Sequence, residues 1–198
     1  MGVAVRGGAE SIVHTTQAKV AQNPDLCVLQ IDFRNAFNEI FRPSFLEVVL
    51  LFKWVKWCYQ NPSNLKFEDH ILLSSRGVQQ GDPLGPFLFC LALTHVISSI
   101  SKKLPNLSHF WGDAGTLSQA FPIIVASAAE VGLTVNENKC CLWTRKRVNP
   151  SLFPKALEFA DPAGFVLLGA PIGEQAFVES FVKKTVEKCC SLGTIWRP

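Results

Sequence analysis

The run Arg76-Gly77-Val78-Gln79-Gln80-Gly81-Asp82-Pro83-Leu84-Gly85-Pro86 restricts this chain more than any other stretch of it. Glycine and proline packed this densely cannot continue a helix or a central strand. Proline lacks the amide proton, and glycine loses the most backbone freedom on ordering. The run therefore reads as a rigid turn with exposed backbone amides. Leu88, Leu91, Ala92, His95, Val96 and Ser99 then recur at helical spacing, which predicts a helix over 87–101 with these residues inward. Such a turn can approach a phosphate or a base closely. Gln79 and Gln80 add groups able to hydrogen-bond sugars or base edges.

The remaining pattern mixes both periodicities. Cys27-Val28-Leu29-Gln30-Ile31-Asp32-Phe33 reads as a buried strand ending on an acid. Pro43 suits a first helical turn, and Phe45, Val48, Val49, Phe52, Val55 and Tyr59 extend one apolar face up to the stop at Asn61-Pro62. Short strands at 65–67 and 71–73 flank Glu68-Asp69, a hairpin signal. A second small hairpin is expected around Gly112-Asp113-Ala114-Gly115, then a helix over 120–131 closed by Gly132. Further strands are expected at 133–135, 139–144 and 165–168, and an amphipathic helix over 175–190. Strands and helices in this order favour an α+β fold with an antiparallel sheet over a parallel βαβ array.

Bulk properties bound the reading. Of 198 residues, 48% are hydrophobic and 18% charged, so a packed core is available and a disordered chain is excluded. The net charge of +3 permits a nucleic-acid partner without arguing for one. The apolar runs at 45–52 and 86–93 fall short of the roughly 18–20 residues a bilayer demands, so no membrane partner is expected. No signal peptide is read at the N-terminus, and Arg6 breaks the Met-Gly myristoylation pattern. Seven cysteines without a Cys-x-x-Cys spacing fit reduced thiols better than disulfides or zinc. The expected location is intracellular, cytoplasmic or nuclear, and not secreted.

Asp32 is the first candidate for chemistry. A carboxylate at the end of an apolar strand is costly to bury unless it is paired. A divalent metal, Arg34 or a helix N-terminus could each supply the partner, and the residue alone does not choose among them. Its neighbours narrow the choice. Asp32-Phe33-Arg34-Asn35-Ala36-Phe37-Asn38 resembles the first catalytic motif of reverse transcriptases, and Gly77-Val78-Gln79-Gln80-Gly81-Asp82-Pro83-Leu84-Gly85-Pro86-Phe87-Leu88-Phe89 resembles the motif that lines their template and nucleotide side. Weaker matches follow in the expected order. Gly132-Leu133-Thr134-Val135-Asn136 with Lys139 is similar to the motif whose lysine lies near the nucleotide phosphates. Leu167-Leu168-Gly169-Ala170-Pro171-Ile172-Gly173 is similar to the primer-grip hairpin, and Gly2 to Ile12 to the end of the fingers.

The resemblance is to reverse transcriptases of the non-LTR retrotransposon type. It implies a palm-like antiparallel sheet packed on helices, with incomplete fingers and no thumb. It covers residues 1–175, with a C-terminal helix and tail over 176–198. It implies RNA-directed DNA polymerase ancestry, an RNA template, a DNA primer, deoxynucleoside triphosphates and Mg2+. Asp32 and Asp113 would be the metal ligands, Lys139 would sit by the phosphates, Phe33, Phe37, Gln80 and Gly81 would form the nucleotide site, and Phe37 would gate the sugar.

The pattern breaks at His109-Phe110-Trp111-Gly112-Asp113-Ala114-Gly115-Thr116-Leu117, where the family has an aromatic-x-Asp-Asp turn. Aligning on Gly115-Thr116-Leu117 puts Asp113 on the first Asp and Ala114 on the second, and the segment is short. Two-metal phosphoryl transfer holds ions about 3.5–4 Å apart between converging carboxylates. Losing one of those carboxylates implies lost or severely reduced activity, leaving a nucleic-acid-binding palm or a decayed retroelement fragment as alternatives. Competing chemistries are missing: the four histidines show no metal spacing, and neither a P-loop nor a Gly-x-Ser-x-Gly elbow occurs. Trp54 and Trp57 are expected to pack within a helical face rather than stack on bases. Lys102-Lys103 and Arg145-Lys146-Arg147 read as solvated basic runs.

Overall fold

A computed structural model describes residues 6–47, 53–79, 81–104 and 111–193. Helix α1 (Gly8–Gln22) precedes strand β1 (Cys27–Gln30). The short helices α2 (Ala36–Glu39), α3 (Pro43–Leu46) and α4 (Lys53–Tyr59) follow, then the ribbon β2 (Ser63–Phe67) and β3 (His70–Ser74). The long helix α5 (Gly85–Lys103), strand β4 (Trp111–Gly112) and helix α6 (Ala114–Glu130) come next. Strands β5 (Cys141–Trp143), β6 (Glu158–Phe159), β7 (Gly164–Leu167) and β8 (Ala170–Gly173) lead to the final helix α7 (Gln175–Gly193).

The central sheet has the order β4-β1-β5-β6. β1 runs antiparallel to β4 and β5, in keeping with the expected α+β fold and antiparallel sheet, and β6 adds in parallel to β5 at one edge. Strand alternation divides the core. Cys27 and Leu29 of β1, with Leu142 of β5, face the large cluster with α5 and α6. Leu26, Val28 and Trp143 face the opposite way, onto Val13 and Val20 of α1 and Phe165 and Ile172 of the β7–β8 hairpin. In α5, Leu88, Ala92, Val96 and Ile100 are buried, and in α6 Leu117, Ala120 and Ile124. Burying each of these Leu and Ile side chains contributes about 1.5–3 kcal/mol. α5 is long and apolar enough in composition to cross a bilayer, yet this stripe packs in the core.

Several sequence expectations change. α1 was not anticipated as a helix; Val13, Thr16 and Val20 bury one side of it. The single helix expected from Pro43 to Tyr59 is described as α3 and α4, with 48–52 outside the described residues. His95 is exposed rather than inward, because the buried stripe of α5 is narrower than the spacing allows. Val135 makes only an isolated bridge, to Phe33. Lys139 ends a 3-10 turn, Glu137–Lys139, before β5 begins.

The hairpin expected at 112–115 is not formed. α6 starts at Ala114, six residues earlier than expected. Asp113 is its N-cap: Oδ1 accepts from the Thr116 N–H (2.9 Å) and Oδ2 from the Thr116 hydroxyl (2.6 Å). An Asp followed three residues later by Thr, ahead of an apolar helical stripe, satisfies the first-turn amides better than a two-strand turn would.

Candidate functional site

The turn at 77–84 is bonded directly to the segment after Asp32. The Val78 N–H donates to the Phe37 carbonyl (2.8 Å) and the Gly77 N–H to the Ile40 carbonyl (2.8 Å). Gly77 has φ +71°, and a Cβ there would lie 2.5 Å from the Asn38 Cα and 2.6 Å from the Phe37 oxygen. Only glycine allows the two backbones this close. The Phe37 ring stacks on Phe89 of α5, centroids 4.5 Å apart, and stays 44% exposed. Phe37 and the turn thus share one open face. Gly81, at φ +88°, has open space where a Cβ would stand. Gln80 lies outside the described residues.

Two residues that the sequence reading left without a role build this face. Arg42 is 4% exposed and has no carboxylate partner among the described residues. Its guanidinium donates to the carbonyls of Gly77 (3.1 Å), Asn61 (3.2 Å) and Arg76 (3.3 Å) and to the Ser74 hydroxyl (2.9 Å). Burial pulls its pKa below the ordinary guanidinium value. Its charge also lies over the Tyr59 ring, 5.4 Å from the centroid. Tyr59, buried at the end of α4, donates its hydroxyl proton to Asp82 Oδ2 and accepts the Gln79 N–H (3.2 Å). Asp82 Oδ1 accepts the Leu84 N–H (2.9 Å), closing the turn into α5. Burial first, then the bond to Asp82, pushes the Tyr59 pKa up to about 12. Tyr59 had been read only as part of an apolar stripe; nothing in its spacing announces its hydroxyl partner.

Asp32 sits against the segment after α6. Its N–H contacts Cys140 Sγ (3.4 Å), its carbonyl accepts from the Asn136 N–H (2.8 Å), and its Oδ2 accepts from the Asn136 side-chain amide (3.2 Å). Phe33 is half-buried at the Val135 bridge. Lys139 is exposed, and its N–H donates to the Asn136 carbonyl (2.9 Å). Asp32, Asn136 and Lys139 therefore gather at one end of the sheet. Asn136 lay within the motif quoted for Lys139, but its own contact required the fold.

Asp113 does not join them. β4 pairs antiparallel with β1, with Gly112 opposite Cys27 and Trp111 opposite Val28. Asp113 continues away from the Asp32 end. Cys27 precedes Asp32 by five positions, and at about 3.3 Å per strand residue that is roughly 16 Å of extended chain. The Asp113 carboxylate is exposed and its pKa is lowered, chiefly by the Thr116 hydroxyl and then by the Thr116 N–H. Among the described residues no three His, Cys, Asp or Glu side chains are grouped to hold a metal. Asp32 and Asp113 thus do not fit a shared magnesium pair in this structure. A cleft of about 510 Å³ lined by Phe41, Arg42, Ser75, Arg76, His95 and Glu130 adjoins the Arg42 side of the turn, and none of the expected site residues lines it.

A Gly-rich turn locked to the backbone beyond Asp32, in this order along the chain, is matched by a family model. Residues 6–172 fit the model described as reverse transcriptase (RNA-dependent DNA polymerase). The chain belongs to the reverse transcriptase family. A solved structure of apo telomerase from Candida tropicalis, truncated from its C-terminal domain, is similar with TM-score 0.54 at 16% identity. The match covers 85% of this chain and 38% of that one, so the reverse transcriptase domain described here spans well under half of the telomerase chain's length. At that identity the likeness shows a shared fold. No curated protein matches the chain.

Proposed function

We propose that this reverse transcriptase domain, of the non-LTR retrotransposon type, holds an RNA template and a DNA primer without itself joining nucleotides. The observation that carries the reading is the β1–β4 register. It sets Asp113 at the opposite end of β1 from Asp32 and engages its carboxylate as a helix cap. Two-metal chemistry supplies charge neutralisation at both the attacking and the leaving oxygen, and it needs carboxylates that converge. Here Ala114 is the first residue of α6, where the family has its second Asp.

What remains supports binding. Phe37 and the turn offer an aromatic face beside backbone amides, suited to a sugar and its base. Lys139 would stand near phosphate, as the resemblance implies, on the same side as Asp32. Asn136 holds the Asp32 carboxylate in place, so one acid stays oriented although its partner is absent.

Primer extension on an RNA template with magnesium or manganese, for the chain beside Ala114→Asp, tests this. The expected result is no extension by either protein, with salt-dependent binding of the primer–template. Robust extension by the unmodified chain overturns the reading. Extension by Ala114→Asp alone would show that residue identity, rather than strand register, removes the activity.

A further inference from the structure

α4 carries two unlike faces. Val55 and Tyr59 are buried, and Tyr59 fastens the turn through Asp82 and Gln79. On the outside, Trp54 is 55% and Trp57 73% exposed, against the expectation that they pack. Residues three apart on a helix are surface neighbours, so the two indoles lie side by side. Lys53 and Lys56 repeat the same spacing and are exposed beside them. The helix, Lys-Trp-Val-Lys-Trp-Cys-Tyr, contains no acid, and neither lysine has an ion-pair partner among the described residues. Neighbouring large aromatics left in water on one face call for an occupant.

Resting on the nucleic-acid-holding reading above, we propose that Trp54 and Trp57, flanked by Lys53 and Lys56, form a stacking platform for single-stranded RNA or DNA. The charge pattern selects this occupant. Indole faces accept bases, and the lysines meet phosphates that a strand carries at every step. A second copy of the chain on this face would set Lys53 and Lys56 against their own like charges. A duplex hides its base faces within the stack, so the platform takes the unpaired strand. The same short helix ends on the tyrosine that shapes the turn, so a strand on the platform is coupled rigidly to the face formed by the turn and Phe37.

Fluorescence anisotropy with labelled oligonucleotides tests the proposal on the whole chain, using a primer–template with a single-stranded template overhang and a blunt duplex. Trp54→Ala with Trp57→Ala is expected to weaken overhang binding by about tenfold or more per ring and to leave blunt-duplex binding unchanged. The corresponding Phe pair should retain most of the affinity. Lys53→Gln with Lys56→Gln should flatten the plot of log affinity against log salt by about 1.4, at roughly 0.7 per phosphate contact on a single strand. The proposal falls if the alanine pair, melting like the unmodified chain, binds the overhang equally well. It also falls if that pair loses only self-association in sedimentation, or only binding to anionic phosphatidylserine vesicles. Unmodified protein that binds the blunt duplex and ignores the overhang overturns the platform alone. Protein that binds neither overturns the platform and the function on which it rests.

Discussion

The turn at 77–84 and the junction of β4 with α6 correspond to motifs expected to face each other across one site, and the fold treats them very differently. The turn is held from several sides: by the backbone of Phe37 and Ile40, by the buried Arg42, by Tyr59, and by the start of α5. At the junction the Asp113 side chain bonds only locally, to Thr116, beside the two-residue pairing of β4 with β1. A structure fixed through many independent bonds keeps its shape when one is lost. One fixed by local capping follows the local sequence, and at 113–117 that sequence prefers a helix.

Substitutions can break or sharpen this contrast. The largest effect is expected at Gly77. Gly77→Ala places a Cβ against the Asn38 backbone at positive φ, and should cost about 3 kcal/mol or more. Urea unfolding reads this directly, and a change under about 1 kcal/mol would show that the turn is not locked to the Phe37 segment.

Tyr59→Phe keeps the ring and removes the bonds to Asp82 and to the Gln79 N–H. It should cost about 1–3 kcal/mol. Because the Tyr59 pKa is raised from 10.0 to about 12, the stability it contributes is present below pH 10 and is lost as pH rises toward 12. The Phe variant should lack that alkaline decline. Identical alkaline melting curves for both proteins would count against the tyrosine–aspartate bond.

The smallest effect is expected at the junction. Asp113→Ala should cost about 1 kcal/mol through the lost cap, and Asp113→Asn a fraction of that. The Asp113 pKa lies below its ordinary value of 3.8. The extra stability of its charged form is therefore present above pH 3.8 and fades as pH falls through the folded value. Acid unfolding followed by circular dichroism should show this in the native chain and not in the Asn variant. A cost at Asp113 as large as that at Gly77 would erase the contrast between the two regions.

Much of the architecture was legible in the residues. The strand ending near Asp32, the β2–β3 ribbon with its Glu68-Asp69 turn, the helix after Pro86, strand β7 and the last helix all stand where apolar period and turn chemistry put them. For the candidate site, motif pattern named Phe37 and Gly81, and the fold brings the Phe37 backbone against the turn. Arg42, Tyr59 and Asn136 were not assigned, because their partners lie across loops from them. Trp54 and Trp57 misled, since helical spacing marks a shared face without saying whether anything covers it.

The sequence alone determined the family and the turn, because glycine and proline restrict the backbone locally and their order leaves few alternatives. Tertiary structure decided what that turn can work with. Strand register is a pairing between distant segments, invisible in either one. Here the pairing of Cys27 with Gly112 sends Asp113 away from Asp32, and its carboxylate makes the first bond of α6.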